Sequence, residues 1–468
     1  MRRTDMMPTV NQIAAQWMSA LAWERIPSDL VASAKLRVLD TVGVALAASA
    51  QPYGEVMNRA VAEFEQPGPC RVMGLRATTG PAWAALANGM LAHALIFDDT
   101  HSASIVHPTS PLLAATLAAS EKAGATGRDL LLALIGGTEL ACRIGLVARG
   151  NFHAAGFQPT AIAGPFGCAY AASRLYGLDA ARMAHAAGIA GSMAAGINES
   201  WTDGTWAQIM HPGWAAHSGV SAATLAKHGY TGPGTVFEGR FGLFRTHVQR
   251  DDFQPDFTAV TAGLGDDWQG RHTVFKPYPC AHVIHPFLDA ILEMWRAGLR
   301  AEHVERVVCP IAQYMVRIVC APAEEKRRPL GEAQARTSLQ YSLAEALHTG
   351  RLDAGSYSAA CLANPAILAL ADRIEYVVDD TAPDSRAYKG WVIVDTRDGR
   401  RLEQIVPHTR GSGENPMSPA DVRAKFQANA SLRLPGHRVD AILEAVDRLE
   451  QQTAGQLAAL CVPDDAPA

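Results

Sequence analysis

The chain has 468 residues, 48% of them hydrophobic and 19% charged, with a formal net charge of −5. That length holds two or three domains with full cores, and the composition excludes a disordered or fibrous protein. The acidic balance gives no global field toward nucleic acid or anionic membranes, so no such partner is expected, and an anionic substrate has to be met by local cations.

The chain opens MRRTDMM, and no apolar run or small-residue cleavage site follows the arginine pair, so no export signal is expected. From about residue 9 to 250, Ala- and Leu-rich segments with helical spacing alternate with Gly, Pro and polar breaks. SDLVASAKLRVLDTVGVALAAS (28–49) reads as a helix opened by a serine cap. GPAWAALANGMLAHALIF, PLLAATLAASEKAG, GRDLLLALIGGTELACRIG and WAAHSGVSAATLAKHG follow the same period. Their small residues lie on several faces, which predicts a tightly packed multihelical core. No stretch reaches the ~18 uninterrupted apolar residues of a membrane span.

Near residue 270 the texture changes. HVERVVCPI, YMVRIVCAP, RIEYVVDDT and the pair WVIVDT and RLEQIVP are β-branched runs, the last two joined by RDGR, a hairpin signal. The helical segments HVIHPFLDAILEMWRAG and EAQARTSLQYSLAEALHTG are interleaved with them. The expected architecture is therefore mostly α: a large all-helical domain from 1–272 with 408–468, where SPADVRAKFQANA and HRVDAILEAVDRLEQQTAG resume helical period, and a smaller α+β domain over 273–407. The final VPDDAPA reads as a frayed tail. Eight cysteines at 70, 142, 168, 280, 309, 320, 361 and 461 show no C-x-x-C pair, and they read as reduced core residues of a cytoplasmic protein.

Four polar clusters interrupt this apolar background. In ALIFDDTHSASIVHP (94–108), Asp98, Asp99, Thr100, His101 and His107 share one connection after a helix ending near Phe97. Adjacent carboxylates point apart, so one of them at most faces a given pocket, and the other reading is that Asp98 or Asp99 caps the next helix. Asp and His can also bind a divalent ion, but the spacings H-E-x-x-H and H-x-x-E-H are absent and no metal is expected. In FKPYPCAHVIHPFLDA (275–290), prolines stiffen the chain around Lys276, and His282 and His285 can share one face of a helix start. Cys280 is read as a packing residue rather than a nucleophile. In ESWTDGTWAQIMHPGWAAHSG (199–219), His211-Pro-Gly is expected to break one element and start another helix, whose free N–H groups suit a carboxylate. In NFHAAGFQPTAIAGPFG (151–167), Gln158 precedes a helix start of the same kind, and both starts also read as plain helix initiation.

The sequence lacks G-x-G-x-x-G after a strand, G-x-x-x-x-G-K-[ST] and G-x-S-x-G, which removes nucleotide cofactors and serine hydrolysis from consideration.

Taken in order, HALIFDDTH with IVHPTSP, GFQPTAIAGPFG, DGTWAQIMHPGWAAHSG, VFEGRFGLF, FKPYPCAHVIHP, EAQARTSLQYSLAEAL and SPADVRAKFQANA resemble the MmgE/PrpD family across most of the chain. The resemblance implies a helical domain built from both ends of the chain, an α+β lid, a homodimer, no cofactor, and dehydratase, decarboxylase or epimerase chemistry on a small carboxylic acid. Three positions depart from the family pattern: Ile96 stands for an aspartate, Gln158 for a histidine and Gln208 for a lysine.

Such chemistry moves a proton at carbon next to a carboxylate, which needs a base that works near neutral pH and donors for the developing enediolate. His107, Thr100, Lys276, Asp98 and Asp99 are the expected catalytic set, and Gln158, Gln208, His211, His282, His285 and His101 the expected substrate contacts. The reading is a cofactor-free lyase. An epimerase using the same carbanion, or a silent metabolite-binding protein, is the alternative. Losing one charge of each sign at Ile96 and Gln208 points to a substrate less highly charged than a tricarboxylate.

Overall fold

A computed structural model describes residues 7–64, 66–381 and 389–464. Helices dominate it, and the only sheet of more than two strands among these residues lies between 304 and 406. Buried apolar side chains form two clusters. One runs from Ala14 to Trp268 and takes in Phe426, Ile442 and Leu457 from the last helices, and the other runs from Tyr278 to Val406.

The small residues of the helical part allow very close approach. A Cβ on Gly89, in the Pro81–His93 helix, would fall 2.7 Å from the Cα of Gly213 in the Ala207–Lys227 helix, so both positions need glycine. The Gly127–Ala148 helix is long and apolar enough to cross a membrane, yet 94% of its 18-residue apolar stretch is buried inside the protein. It also carries the buried pair Glu139 and Arg143, whose guanidinium donates to the carbonyls of Ala259 and Ala262. A helix of this kind reads as core: its ion pair anchors a neighbouring loop.

In the second cluster the strand order is Ile374–Val378, Val304–Ile311, Gly390–Thr396, Arg401–Val406. The first pair is parallel and the others antiparallel, and RDGR makes the expected hairpin. The His285–Arg296 and Leu339–Thr349 helices pack in the same cluster.

Several local expectations are corrected. YMVRIVCAP is not a strand: Gln313–Met315 is helical and Val316–Cys320 a π-helical turn. Its β-branched residues suit either backbone, and packing of Met315, Val319 and Cys320 into the second cluster decides between them. EAQARTSLQYSLAEALHTG breaks into Glu332–Ala335 and Leu339–Thr349, because Ser338 caps the second helix through the Tyr341 amide. The 28–49 helix has Pro27, not a serine, at its cap. Of VPDDAPA, residues 465–468 lie outside the described residues. All eight cysteines are free, and all but Cys361 are buried.

One small pairing matters most for function. Thr100–His101 pairs antiparallel with Thr273–Val274, which brings the 94–108 connection beside the segment that carries Lys276.

Candidate active site

The Pro81–His93 helix ends where Ile96 takes φ +51°, in the left-handed region that a β-branched residue rarely adopts. This turn aims Asp98 back at the helix end. His93 Nδ1 lies 3.0 and 2.9 Å from the two Asp98 oxygens, and Ser110 Oγ donates to Oδ2 at 2.7 Å. Asp98 is fully buried, which pushes its carboxyl up, but His93, His107 and Lys276 outweigh that and hold it well below the usual carboxylate range.

His107 enters from the other side of the connection. Its amide donates to Thr160 Oγ1 at 2.8 Å, and its Nδ1 stands 2.9 Å from the Asp99 carbonyl and 3.2 Å from Thr100 Oγ1. A carbonyl only accepts, so Nδ1 carries the hydrogen and Nε2 holds the lone pair. The side chain keeps 14% of its surface exposed. Burial, then the Lys276 charge, push the imidazole down to about 3, against the opposing pull of Asp98, so His107 rests as a neutral base.

Lys276 is 1% exposed, and its Nζ donates to the Ile96 carbonyl at 3.1 Å. Burial lowers its pKa, while Asp98 works against the shift. His282 and His285 stack edge to face with centroids 5.0 Å apart, and His285 Nε2 donates to the Cys280 carbonyl at 3.3 Å. Burial, with Lys276 nearby, pushes His282 down to about 3 and His285 well below its ordinary value, so both are neutral. Burial drives the Cys280 thiol up to about 12, which leaves no thiolate for a nucleophile.

The remaining expected residues divide. Asp99 caps the Thr109–Ala123 helix: its carboxylate accepts from the amide and hydroxyl of Thr109 and faces Arg37 at 3.8 Å. Burial raises it to about 6. His101 turns away from the cluster and bonds Ser104 Oγ at 2.8 Å. Gln158 Oε1 caps the Pro159–Leu175 helix through the Ala161 amide, which leaves only its Nε2 for a ligand. Gln208 Oε1 accepts from the Trp201 indole at 2.9 Å.

His211 does not start a helix. The Ala207–Lys227 helix runs through it and Pro212, whose missing N–H falls near the first turn, where few intrahelical bonds are lost. The ring is nonetheless part of the site: burial and the neighbouring His93 push it down to about 4. His93 Nε2, His211 Nδ1 and His285 Nδ1 are buried without hydrogen-bond partners, and a bound polar molecule would satisfy such atoms.

Sequence reasoning missed three residues. His93 was hidden in an apolar helical run, and its five-residue spacing from Asp98 becomes a contact only because the helix ends between them. Lys425 and Arg336 lie more than 200 residues from the turn they touch.

His93, Asp98 and His107 place one donor atom each within 4.8 Å of one another, a spacing that a metal ion can use. The donor set does not fit one. Both Asp98 oxygens are engaged by His93 and Ser110 donates to one of them, and the Lys276 ammonium opposes a second cation in the same field. The arrangement is a hydrogen-bonded carboxylate between two imidazoles with a buried cation beside it.

Comparison with known proteins gives consistent relatives. Residues 12–256 match the MmgE/PrpD N-terminal domain and residues 278–451 the MmgE/PrpD C-terminal domain. The chain is 28% identical over 468 residues, 96% of each protein, to the cis-aconitate decarboxylase-like protein oryM of Aspergillus oryzae. It is 33% identical over 289 residues to a cis-aconitate decarboxylase of Aspergillus terreus, covering 60% of this chain and 59% of that one. To the human cis-aconitate decarboxylase it is 29% identical over 387 residues, 79% of this chain and 77% of the relative.

Proposed function

This chain belongs to the MmgE/PrpD family, and from that premise we propose that it is a lyase of a small carboxylic acid, using His107 to move a proton at carbon next to a carboxylate. The observation that carries the reading is the anchoring of His107 Nδ1 on the Asp99 carbonyl, which leaves an unprotonated Nε2 lone pair on a partly exposed ring beside a buried ammonium. The relatives named as decarboxylases support the same class.

In dehydration, Nε2 takes the α-proton, the electron pair collects on the adjacent carboxylate as an enediolate, and the β C–O bond then breaks as the imidazolium returns that proton to the leaving hydroxyl, which departs as water. In decarboxylation the C–C bond to one carboxylate breaks, carbon dioxide leaves, and the carbanion takes a proton from the imidazolium. A bound carboxylate beside the ring favours that protonated form, since an opposite charge raises an imidazole pKa. Lys276 stabilises the enediolate in either case, and Asp98 stabilises the imidazolium as it forms. Neutral His211, His282 and the amides of Gln158 and Gln208 offer uncharged contacts, which suit a substrate less highly charged than a tricarboxylate.

Residues 273–407 act as the lid in this reading, and the active unit is a homodimer. Eight free cysteines fit a reducing, cytoplasmic compartment.

The test is incubation of small mono-, di- and tricarboxylic acids in deuterated water. The lyase reading expects release of carbon dioxide or water, with solvent deuterium in the product of decarboxylation, and its loss in His107→Ala. Recovered substrate with deuterium and inverted configuration would make the protein an epimerase. No turnover of any acid, with ligand binding intact in His107→Ala, would make it a binding protein.

A further inference from the structure

Three consecutive carbonyls after the Pro81–His93 helix each accept a hydrogen bond from a different buried cation. Arg336 Nη1 donates to Leu95 O at 3.3 Å, Lys276 Nζ to Ile96 O at 3.1 Å and Lys425 Nζ to Phe97 O at 2.8 Å. The donors come from three separate parts of the chain. Lys276 follows the small Thr273–Val274 strand, Arg336 stands before the Leu339–Thr349 helix, and Lys425 is inside the Pro419–Ala430 helix. Arg336 Nη1 also donates to Pro279 O at 2.9 Å, so one guanidinium ties the turn to the segment leading into the second apolar cluster. Lys425 pairs with Asp40 at 2.7 Å and sits 3.7 Å from the centroid of the Phe97 ring.

Buried carbonyls in a turn past a helix end need hydrogen-bond donors, and water or a neutral side chain supplies them without the cost of burying charge. Here Arg336 is 1% exposed, and the Lys425 side chain 7%. The residue in the middle, Ile96, is held at φ +51°, and such a conformation persists only where the surroundings over-determine it. Asp98 is two residues further on, and Asp99, whose carbonyl fixes the His107 tautomer, is next.

We propose that Lys425 and Arg336 are positioning residues for the reaction: with Lys276 they clamp the 95–97 carbonyls, and through that turn they set where Asp98 and the His107 anchor stand. The inference rests on the assignment of His107 as the proton-transfer group. Neither residue need touch substrate. The charged and titratable groups facing the two lysines are Asp40, Asp98, Asp99, Cys280, His107, His282 and His285, and those facing Arg336 are Glu332 at 3.7 Å, Tyr53 and the Tyr357 ring.

The test uses Lys425→Arg, Arg336→Met and the double variant Asp40→Asn with Lys425→Met, which removes the pair without leaving a lone buried carboxylate. Misplacing a catalytic group by an ångström costs about 100-fold, so the double variant and Arg336→Met should lower kcat by about 10- to 100-fold and change KM by less than about 3-fold. Lys425→Arg, which keeps the charge and the donor, should recover most of kcat. Independently of turnover, amide hydrogen exchange in the peptide covering 94–108 should speed up by about 10-fold or more in the two disrupted variants, as expected where a local opening loses its main restraints. A rise in KM with kcat unchanged would make Lys425 a substrate ligand and overturn the proposal. Unchanged exchange at 94–108 would overturn it as well. If no acid is turned over by the wild-type protein, the lyase reading falls while faster exchange still supports the clamp.

Discussion

Asp98 Oδ1 stands 3.8 Å from Nδ1 of His107, outside hydrogen-bonding distance, while the backbone carbonyl of Asp99 holds that nitrogen at 2.9 Å. The carboxylate therefore acts on His107 through space, and the tautomer is set by the main chain. This differs from a triad in which a carboxylate both orients and charges its histidine.

Asp98→Asn should separate these two roles. The Asp99 carbonyl still fixes Nδ1–H, so the ring keeps its working tautomer and kcat should fall about 10- to 100-fold. Where loss of a carboxylate inverts the tautomer, the cost is nearer 10⁴-fold. Asp98 raises the His107 pKa, so its removal lowers it, and the acid limb of kcat/KM should move to lower pH. An acid limb that moves up, or a loss of 10⁴-fold, would mean that Asp98 orients the ring after all.

Acid should unfold this protein earlier than its carboxylates alone imply. Burial pushes His101 and His211 down to about 4 and His107 and His282 down to about 3. Between those values and the unfolded pKa of about 6.5, the unfolded chain binds more protons than the folded one, so stability rises with pH and is lost on acidification. At pH 5 each group accounts for about 2 kcal/mol. Asp99, raised to about 6, acts in the opposite direction between about pH 4 and 6 and offsets part of this. Thermal melts should show a lower Tm at pH 5 than at pH 7. In His101→Asn, which lies outside the catalytic cluster, the difference in unfolding free energy between the two pH values, read by denaturant unfolding, should shrink by about 2 kcal/mol, and an undiminished difference would show that His101 is not held neutral.

Ile96 offers a test of stored strain. A left-handed conformation costs a non-glycine residue roughly 1–2 kcal/mol, more than the ~0.5–1 kcal/mol that glycine loses in backbone entropy. Ile96→Ala and Ile96→Gly both give up the buried side chain, which is 7% exposed, but only glycine releases the strain. Ile96→Gly should thus be the more stable of the two by about 0.5–1 kcal/mol in denaturant unfolding, the reverse of the order in a regular helix or strand. The usual order would mean that the turn is unstrained in solution.

Much of this architecture was legible in the sequence because the signals are local. The RDGR hairpin, the long Ala-rich helices and the Thr100, His107 and Lys276 grouping follow from turn chemistry, periodicity and motif order. The bland reading of Asp99 as a cap of the next helix was also available, since an aspartate in the connection before a helix can take up its free N–H groups; the ten-residue reach to the Thr109 amide is set by the tertiary turn. What the sequence hid depends on tertiary contact. His93 looked like one more residue of an apolar helix until the chain turned at Ile96. Lys425 and Arg336 carry no signal at their own positions that ties them to Leu95 and Phe97. The 313–320 run has strand-like residues, yet its neighbours fold it into helical turns.

The substrate's charge can be probed at Gln208, the second residue of the Ala207–Lys227 helix, where its Oε1 accepts from Trp201 at 2.9 Å. A lysine there loses that acceptor and sets a cation against the positive end of the helix dipole, so Gln208→Lys should cost about 1 kcal/mol in stability. It also supplies the charge that the family pattern has at this position. If the neutral amide is what excludes the more highly charged acids, then kcat/KM for a tricarboxylate relative to a dicarboxylate should rise by about 10-fold, equivalent to 1.4 kcal/mol of differential transition-state binding. The comparison is made on one protein preparation across an ionic-strength series, because a gain from a new ion pair shrinks as salt is added. A ratio that does not move, or one that rises equally at all salt concentrations, would show that the charge at position 208 does not select the substrate.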